Sequence, residues 1–245
     1  MRWLLAVGLI IFLLLVGLNF PQYWGLSASA LILVVLGGCL WGYERRATGA
    51  REVALIACLA ALAGAARVPF AALPNVQPTT FLVVYTGFAL GPFVGGMVGC
   101  LGALVSNFFL GQGPWTPWQM LAWGLAGLLG GIAKRMWLPL VCCAWGYVFG
   151  LLMTIWHWTA FVYPLTWSSF WTVYLLGVWF DTMHALGNLL LSLLFGPMVL
   201  GALTRYRRRL QFSTVLERGW ADEVGTTGCS AVGLSAQHGE RSGRL

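Results

Sequence analysis

SNFFLGQGPWTPWQ, at residues 106–119, is the stretch of this chain that decides its fold. It lies within residues 68–133, a region that contains no Asp, Glu, Lys or Arg. Two prolines remove amide donors and fix φ, and two glycines loosen the backbone, so the stretch cannot be a plain helix. Non-helical backbone at membrane depth is tolerated only where protein buries it or where it lines a cavity. The stretch therefore predicts a shaped segment inside a membrane protein.

The side chains of this stretch indicate binding. Asn107, Gln112 and Gln119 offer neutral hydrogen bonds, and Trp115 offers a flat apolar face. Small-molecule sites combine such aromatic area with a few polar groups that fix orientation. The same groups are poor material for acid–base chemistry.

Composition excludes a soluble protein. The chain is 59% hydrophobic and 9% charged, and its mean hydropathy is +0.80. A soluble domain carries about 25% charged residues. We therefore expect an all-α polytopic protein of the lipid bilayer. The net charge of +7 does not indicate nucleic-acid binding, because the arginines cluster in short segments between apolar runs.

Eight membrane spans are predicted from runs of mostly apolar residues, since a crossing needs about 20 of them. The first run follows Arg2 but lacks a small-residue cleavage pattern, so we interpret it as a retained span and not as a signal peptide. The last run is long enough to tilt, kink or extend beyond the bilayer. The spans are placed at about 3–18, 26–43, 52–66, 79–91, 93–110, 117–133, 137–161 and 171–204.

The basic residues predict the orientation. In an eight-span arrangement, nearly all the basic residues near span ends fall on one side, and the positive-inside rule makes that side cytoplasmic. Both termini are then cytoplasmic. Arg67, at the outer end of the third span, is the exception; it is either a functional residue or an interfacial arginine that snorkels to headgroups. The basic residues on the cytoplasmic side are Arg2, Arg45, Arg46, Arg51, Lys134, Arg135, Arg205, Arg207, Arg208 and Arg209.

A second proline-rich segment follows Arg67. Residues 68–80 contain three prolines and no charge, so they predict a connection of fixed shape rather than a helix. Asn75 and Gln77 offer further neutral hydrogen bonds there. The alternative is a simple connector between two spans.

Polar residues inside the last predicted span form a third candidate cluster. Asp181, His184 and Asn188 fall on one helix face, within about 60° of each other. An intramembrane carboxylate is costly, so Asp181 is a functional candidate, with Arg67 or His184 as its partner. A structural ion pair or hydrogen-bond network is the alternative. Two good ligands are too few to predict a metal site.

Small residues recur in the third span. Ala57, Ala61 and Ala65 are four residues apart and stack on one face. Such a face lets another helix approach closely. From geometry alone, packing within this chain is the favoured interpretation.

Catalysis is not indicated by the sequence. It shows no nucleophile–base pair, no paired carboxylates and no phosphate-binding loop, so we expect neither an enzyme nor a cofactor. It also lacks an ATP-binding motif, so energy for transport must come from a partner or a gradient. Two other classes remain open: a self-sufficient transporter with Asp181 and His184 as a proton relay, and a membrane enzyme acting on a lipid or isoprenoid.

Five motifs together resemble a known family. From about residue 53 to residue 209 the chain resembles the substrate-binding membrane subunit (S component) of energy-coupling factor (ECF) vitamin transporters. The run GQGPWTPWQ, at residues 111–119, is the most specific part. The motifs are RVPF at 67–70, LPNVQP at 73–78, the segment 87–91, NFFLGQGPWTPWQM at 107–120, and the segment 181–188.

The resemblance implies a division of the chain and a set of partners. Two extra N-terminal helices in 1–44 would precede a six-helix core in 45–209, and the polar segment 210–245 is expected to be a disordered cytoplasmic tail. Such subunits have no enzymatic activity, bind a vitamin or its precursor from outside, and associate with a membrane coupling subunit and two ATPases. Within the resemblance, the face of Ala57, Ala61 and Ala65 becomes the expected docking site of the coupling subunit.

The substrate is predicted only in outline. The neutral, aromatic loops favour a flat, largely uncharged organic ligand. A cobalamin-like corrinoid or its precursor is the first expectation, and precursors of thiamine, queuosine or pyridoxine remain open. The residues expected to line the outward site are Arg67, Asn75, Gln77, Asn107, Gln112, Trp115, Gln119, Asp181, His184 and Asn188.

Overall fold

The computed structural model describes residues 9, 11–13, 15–16, 19–44 and 49–239, with side chains for most of these residues up to position 209. All regular structure in these ranges is helical, which confirms the predicted all-α membrane protein. Most of the first predicted span, and the arginines at positions 2, 45 and 46, lie outside the described residues.

Proline and glycine set the bounds of the helices. Helices α3 to α6 each carry a proline in the first turn, where the missing amide donor is not needed. Gly91 and Gly111 follow α3 and α4 with φ of 105° and 106°, a conformation that favours glycine. The helices are α1 Trp24–Glu44, α2 Ala50–Ala65, α3 Pro78–Leu90, α4 Pro92–Leu110, α5 Thr116–Ile132, α6 Leu138–Phe161 and α7 Trp167–Gly239.

These helices match seven of the eight predicted spans in position. Four helical stretches of the described residues are long and apolar enough to cross a membrane, and two shorter apolar helices accompany them. The four are Ala50–Phe70, Pro92–Leu110, Arg135–Phe161 and Trp167–Arg209, and the shorter two are Trp24–Gly38 and Pro78–Leu90.

The last helix extends into the segment for which the sequence predicts a disordered tail. Helical backbone continues to Gly239, although the sequence from residue 210 is polar and rich in Gly, Ser and Thr. The chain divides into a compact unit that ends at Gly201 and a second that begins at Ala202. The candidate site lies in the first unit.

Glycines hold α3, α4 and α5 in direct backbone contact. A Cβ on Gly87 or Gly95 would come closer than 3.0 Å to the backbone of a neighbouring helix, and one on Gly127 would meet the backbone of Gly95 in the same way. Backbones can approach this closely only when side chains are absent at the crossing. The three helices therefore form a dense block, which we call the glycine block.

Helix α2 packs on the glycine block through one face only. Ala60, Ala63 and Gly64 are buried, and Gly64 lies against Ser106 of α4. The alanines singled out in the sequence lie on the other face and are exposed within the described part of the chain. They are Ala57, Ala61 and Ala65.

Helix α1, the described part of the extra N-terminal segment, is attached to the core. It packs against α5 and α6, where Ile32 and Leu36 form an apolar cluster with Trp118. The indole Nε1 of Trp118 donates to Ser29 Oγ at 3.1 Å. This contact anchors α1 close to the beginning of α5.

Candidate functional site

Arg67 organises the first part of the site. It follows α2 and is 7% exposed. Its Nε donates to Gln77 Oε1 at 2.7 Å, and its Nη1 donates to Ser106 Oγ at 2.5 Å and Asn107 Oδ1 at 3.1 Å. The guanidinium also lies 4.7 Å from the ring centre of Trp123. Arg67 thus joins α2, the 68–77 connection, α4 and α5, and it does not snorkel to the bilayer surface.

The expected pair between Arg67 and Asp181 is not formed. Every hydrogen bond of the guanidinium in the described part of the chain goes to a neutral oxygen. The fork geometry of arginine suits several acceptors at once, which explains how neutral groups hold this charge. Asp181 lies elsewhere, in the wall of a cavity.

Side-chain amides lock the 106–119 stretch into shape. Asn107 Nδ2 donates to Thr116 Oγ1 at 3.0 Å and to Gln119 Oε1 at 2.8 Å. Thr116 Oγ1 donates to Gln112 Oε1 at 2.9 Å, and Gln112 Nε2 donates to the carbonyl of Leu104 at 3.1 Å. Side-chain hydrogen bonds therefore hold the non-helical residues 111–115 between α4 and α5. The prolines and glycines of the stretch predict this break between two helices.

A cavity of about 620 Å³ opens beside this structure. Its wall is formed by the 68–77 connection, the first turn of α5, the second half of α6 and the first part of α7. Sites for small organic ligands have volumes of roughly 300–1,000 Å³. The lining residues are Asn75, Gln77, Gln119, Phe149, Gly150, Met153, Thr154, Trp156, His157, Val173, Leu176, Gly177, Phe180 and Asp181.

Asn75 and Gln77 form the rim that faces α7. Asn75 has φ of 52°, a left-handed conformation uncommon outside glycine. Its Nδ2 donates to the carbonyl of Phe180 at 3.0 Å, and its Oδ1 accepts from Gln77 Nε2 at 3.1 Å. The rim is therefore fixed to α7 on one side and to Arg67 on the other.

Asp181 is the buried carboxylate of the cavity wall. It is 5% exposed, and its Oδ2 is inaccessible and lacks a hydrogen-bond partner among the described residues. A Cβ on Gly150 would collide with this carboxylate, so the glycine lets α6 and α7 close around it. Of the three polar residues predicted on this face, Asp181 alone lines the cavity.

His184 and Asn188 lie deeper and join α7 to α3. Both are 0% exposed. His184 Nε2 shares a hydrogen bond of 2.7 Å with Thr80 Oγ1, while Asn188 Oδ1 accepts from the amide of Phe81 at 2.9 Å. Trp123 Nε1 also donates to Thr80 Oγ1 at 2.8 Å. These contacts form a hydrogen-bond network between α7, α3 and α5.

Trp115 and Asn107 support the cavity from behind. The ring of Trp115 lies edge-on to that of Trp156, with 6.0 Å between centroids, and Trp156 is in the lining. Asn107 reaches the lining through Gln119. Gln112 is exposed and turned to its own segment. The structure thus brings Asn75, Gln77, Gln119 and Asp181 to the cavity and places the other predicted residues around it.

Sequence reasoning missed the contribution of α6. Phe149, Gly150, Met153 and Thr154 line the cavity together with His157. These positions recur every three to four residues and so share one helix face. The signal was present in that spacing and in Gly150, whose missing side chain marks a close approach. Within the described residues, no group of His, Cys, Asp or Glu is arranged to hold a metal ion.

Comparison with known proteins gives one distant relative. The chain is 35% identical over 92 residues to a UPF0397 protein of Vibrio atlanticus (strain LGP32), a match that covers 36% of this chain and 50% of the relative. The chain thus spans about half the length of the curated relative it matches. No protein-family model and no solved structure matches the chain.

Proposed function

We propose that this chain is the substrate-binding membrane subunit (S component) of an ECF-type importer, which captures a vitamin or vitamin precursor for ATP-driven uptake by partner subunits. The observation that carries the proposal is the 620 Å³ cavity, bounded by the two proline-rich segments and by α6 and α7. On this proposal the chain is neither an enzyme nor the carrier of a cofactor.

The chemistry of the cavity supports binding. Its lining offers three amide side chains, several aromatic rings and one carboxylate. Aromatic faces supply contact area, and a few polar groups set orientation, as in other small-molecule sites. Since Arg67 and Asn107 fix Gln77 and Gln119, the recognition groups are held in place before a ligand arrives.

The exposed face of α2 supports the partner part of the proposal. Ala57, Ala61 and Ala65 are exposed, while the opposite face of the same helix is packed on α4. A stripe of small residues allows a second helix to approach closely in the membrane. We assign this face to the membrane coupling subunit, which in turn would contact two ATPases.

The proposed orientation follows the basic residues. Lys134 and Arg135 lie between α5 and α6, at the end of α5 opposite the 111–115 connection. The positive-inside rule places them in the cytoplasm, so the cavity opens outward across the plasma membrane and both termini are cytoplasmic. Capture from outside requires this orientation.

The test begins with the ligand. The full chain is purified gently from its native host, and a retained compound is identified by mass spectrometry. Uptake of that compound is then measured in cells with and without the coupling subunit, and with and without a protonophore. The proposal predicts uptake that requires the coupling subunit. Uptake that persists without it and stops with the protonophore would contradict the proposal and indicate a proton-coupled transporter.

A further inference from the structure

The charge of the cavity is concentrated in one side chain. Asp181 is 5% exposed and lines the cavity, and no Lys or Arg appears in the lining. Arg67, one of the two partners that the sequence offers for Asp181, donates instead to Gln77, Ser106 and Asn107. Within the described residues, neither Lys nor Arg therefore pairs with the carboxylate in the cavity wall.

The carboxylate is built into the wall. Gly150 lies directly against it, and any side chain at that position would occupy its space. Phe149, Met153 and Phe180 make the neighbouring wall apolar. Burying an unpaired carboxylate in such surroundings is costly, so its presence indicates a partner that arrives from the cavity.

The three amide side chains of the lining are already engaged in hydrogen bonds, and Thr154 and His157 complete its polar groups. Gln77 accepts from Arg67 and donates to Asn75, and Asn75 donates to the carbonyl of Phe180. Gln119 Oε1 accepts from Asn107, which leaves the NH₂ group of Gln119 as a donor. The lining thus presents a strong acceptor at Asp181 and a neutral donor at Gln119, with aromatic rings such as Trp156 in the same wall.

We propose that the substrate is a small planar nitrogen compound whose positively charged nitrogen group, or pair of N–H donors, is held by Asp181. This inference rests on the proposed function and narrows its substrate class. An acceptor on the same ligand would meet the NH₂ group of Gln119. The sequence alone favours a largely uncharged ligand. The buried carboxylate in the lining favours a cationic ligand instead.

The cavity also bears on the size of the substrate. A volume of about 620 Å³ lies in the middle of the range for drug-sized ligands. A corrinoid, with its macrocycle and nucleotide loop, is larger than such ligands. The cavity fits a monocyclic or bicyclic heterocycle better than it fits a corrinoid.

The test uses an equimolar panel of compounds that differ in charge. Purified full chain is incubated with thiamine, pyridoxamine, pyridoxine, nicotinate and cobinamide, and retained compounds are quantified by mass spectrometry after gel filtration. Pyridoxamine and pyridoxine differ only in an ammonium and a hydroxyl group. The variants are Asp181→Asn, which keeps the shape of the side chain, and Ser192→Ala, a control three turns further along the same face of α7.

Retention of thiamine or pyridoxamine above the uncharged and anionic members is expected. Asp181→Asn should lower that retention about tenfold to a hundredfold, because a charge-assisted hydrogen bond is lost. Ser192→Ala should leave retention unchanged. The melting temperature of Asp181→Asn should stay equal or rise, since an unpaired buried charge is removed.

Other outcomes separate the two claims. Preferred retention of nicotinate, pyridoxine or cobinamide keeps the proposed function and overturns the inference about charge. Equal retention by Asp181→Asn and the unchanged chain, or a clear fall in the melting temperature of Asp181→Asn, would show that the carboxylate is structural. Retention of no member overturns the inference together with the proposed function.

Discussion

The glycine block and the cavity side of the molecule differ in how closely their helices pack. In the glycine block, Gly87, Gly95 and Gly127 bring the backbones of α3, α4 and α5 into contact. On the cavity side, large side chains such as Phe149 and Phe180 of α6 and α7 line the 620 Å³ cavity. The comparison shows that one part of the bundle is packed backbone against backbone, whereas another part encloses a cavity.

The same division separates two kinds of polar residue. His184 and Asn188 are fully buried and bonded to α3, on the glycine block. Asp181, one turn earlier on the same helix, lines the cavity and keeps an unpartnered oxygen. A polar stripe on one helix thus joins two helices at one end and lines the cavity at the other.

Filling the glycine block should have the largest effect. Gly127→Leu places a side chain into the backbone of Gly95, and close-packed helices cannot move apart without losing their other contacts. We expect loss of folded protein, measured by gel filtration in detergent. Gly37→Leu is the matched control, because nothing lies within 4 Å of a Cβ there. Equal yields of both variants would show that the block is not tightly packed.

Bulk on the exposed face of α2 should abolish transport and spare binding. Ala61→Trp projects from an exposed position, so the chain should fold and bind its ligand while uptake falls to background. Ala60→Trp is the contrasting variant, because Ala60 is 2% exposed and its replacement should prevent folding. Ligand binding is followed by calorimetry and uptake by transport into cells. Normal uptake by Ala61→Trp would remove this face from the partner interface.

Replacing the guanidinium of Arg67 by an ammonium group should lower the stability of the folded chain. Arg67→Lys cannot reach Gln77, Ser106 and Asn107 together, and each stranded buried group costs about 1–3 kcal/mol. We expect a lower melting temperature and weaker ligand binding, since the rim is fixed through Gln77. A melting temperature equal to that of the unchanged chain would contradict the assigned role.

Removing the amide side chains should have a smaller effect, and removing the Trp115 ring the smallest. Gln119→Ala should weaken binding about threefold to tenfold, as expected for one neutral hydrogen bond. Asn107→Ala should weaken it by about tenfold or more, because it strands Arg67, Thr116 and Gln119 together. Trp115→Ala should weaken it less, because Trp115 contacts Trp156 from behind and is not in the lining. The sequence predicts the reverse order, since it counts the indole as stacking area. Calorimetric titration of the three purified variants decides between the two orders.

The helices were predictable because prolines, glycines and charged residues mark where each helix begins and ends. Seven predicted spans coincide with helices, and the non-helical character of 111–115 follows from Gly111 and Pro114. The sequence could not predict which face of α2 packs on α4, because alanine occupies both faces of this helix. Only contacts distinguish buried Ala60 from exposed Ala61.

The site was predictable in part, for a related reason. Amide side chains in proline-rich connections pointed to Asn75, Gln77 and Gln119, which all line the cavity. The contribution of α6 was hidden, because apolar residues such as Phe149 look the same whether they face lipid, core or ligand. The separation of Asp181 from His184 depends on the neighbouring helices, which periodicity along one helix does not show.

The central claim concerns where the ligand binds, and a structure of the purified chain with its retained compound tests it most directly. The account predicts ligand density between Gln119, Trp156 and Asp181, in the 620 Å³ cavity. Two other cavities offer a clear contrast: one of about 490 Å³ lined by Tyr85, Ser192 and Leu200 among others, and an apolar one of about 420 Å³ that includes Leu36 and Leu125. Density in either of these, with the 620 Å³ cavity empty, would contradict the account.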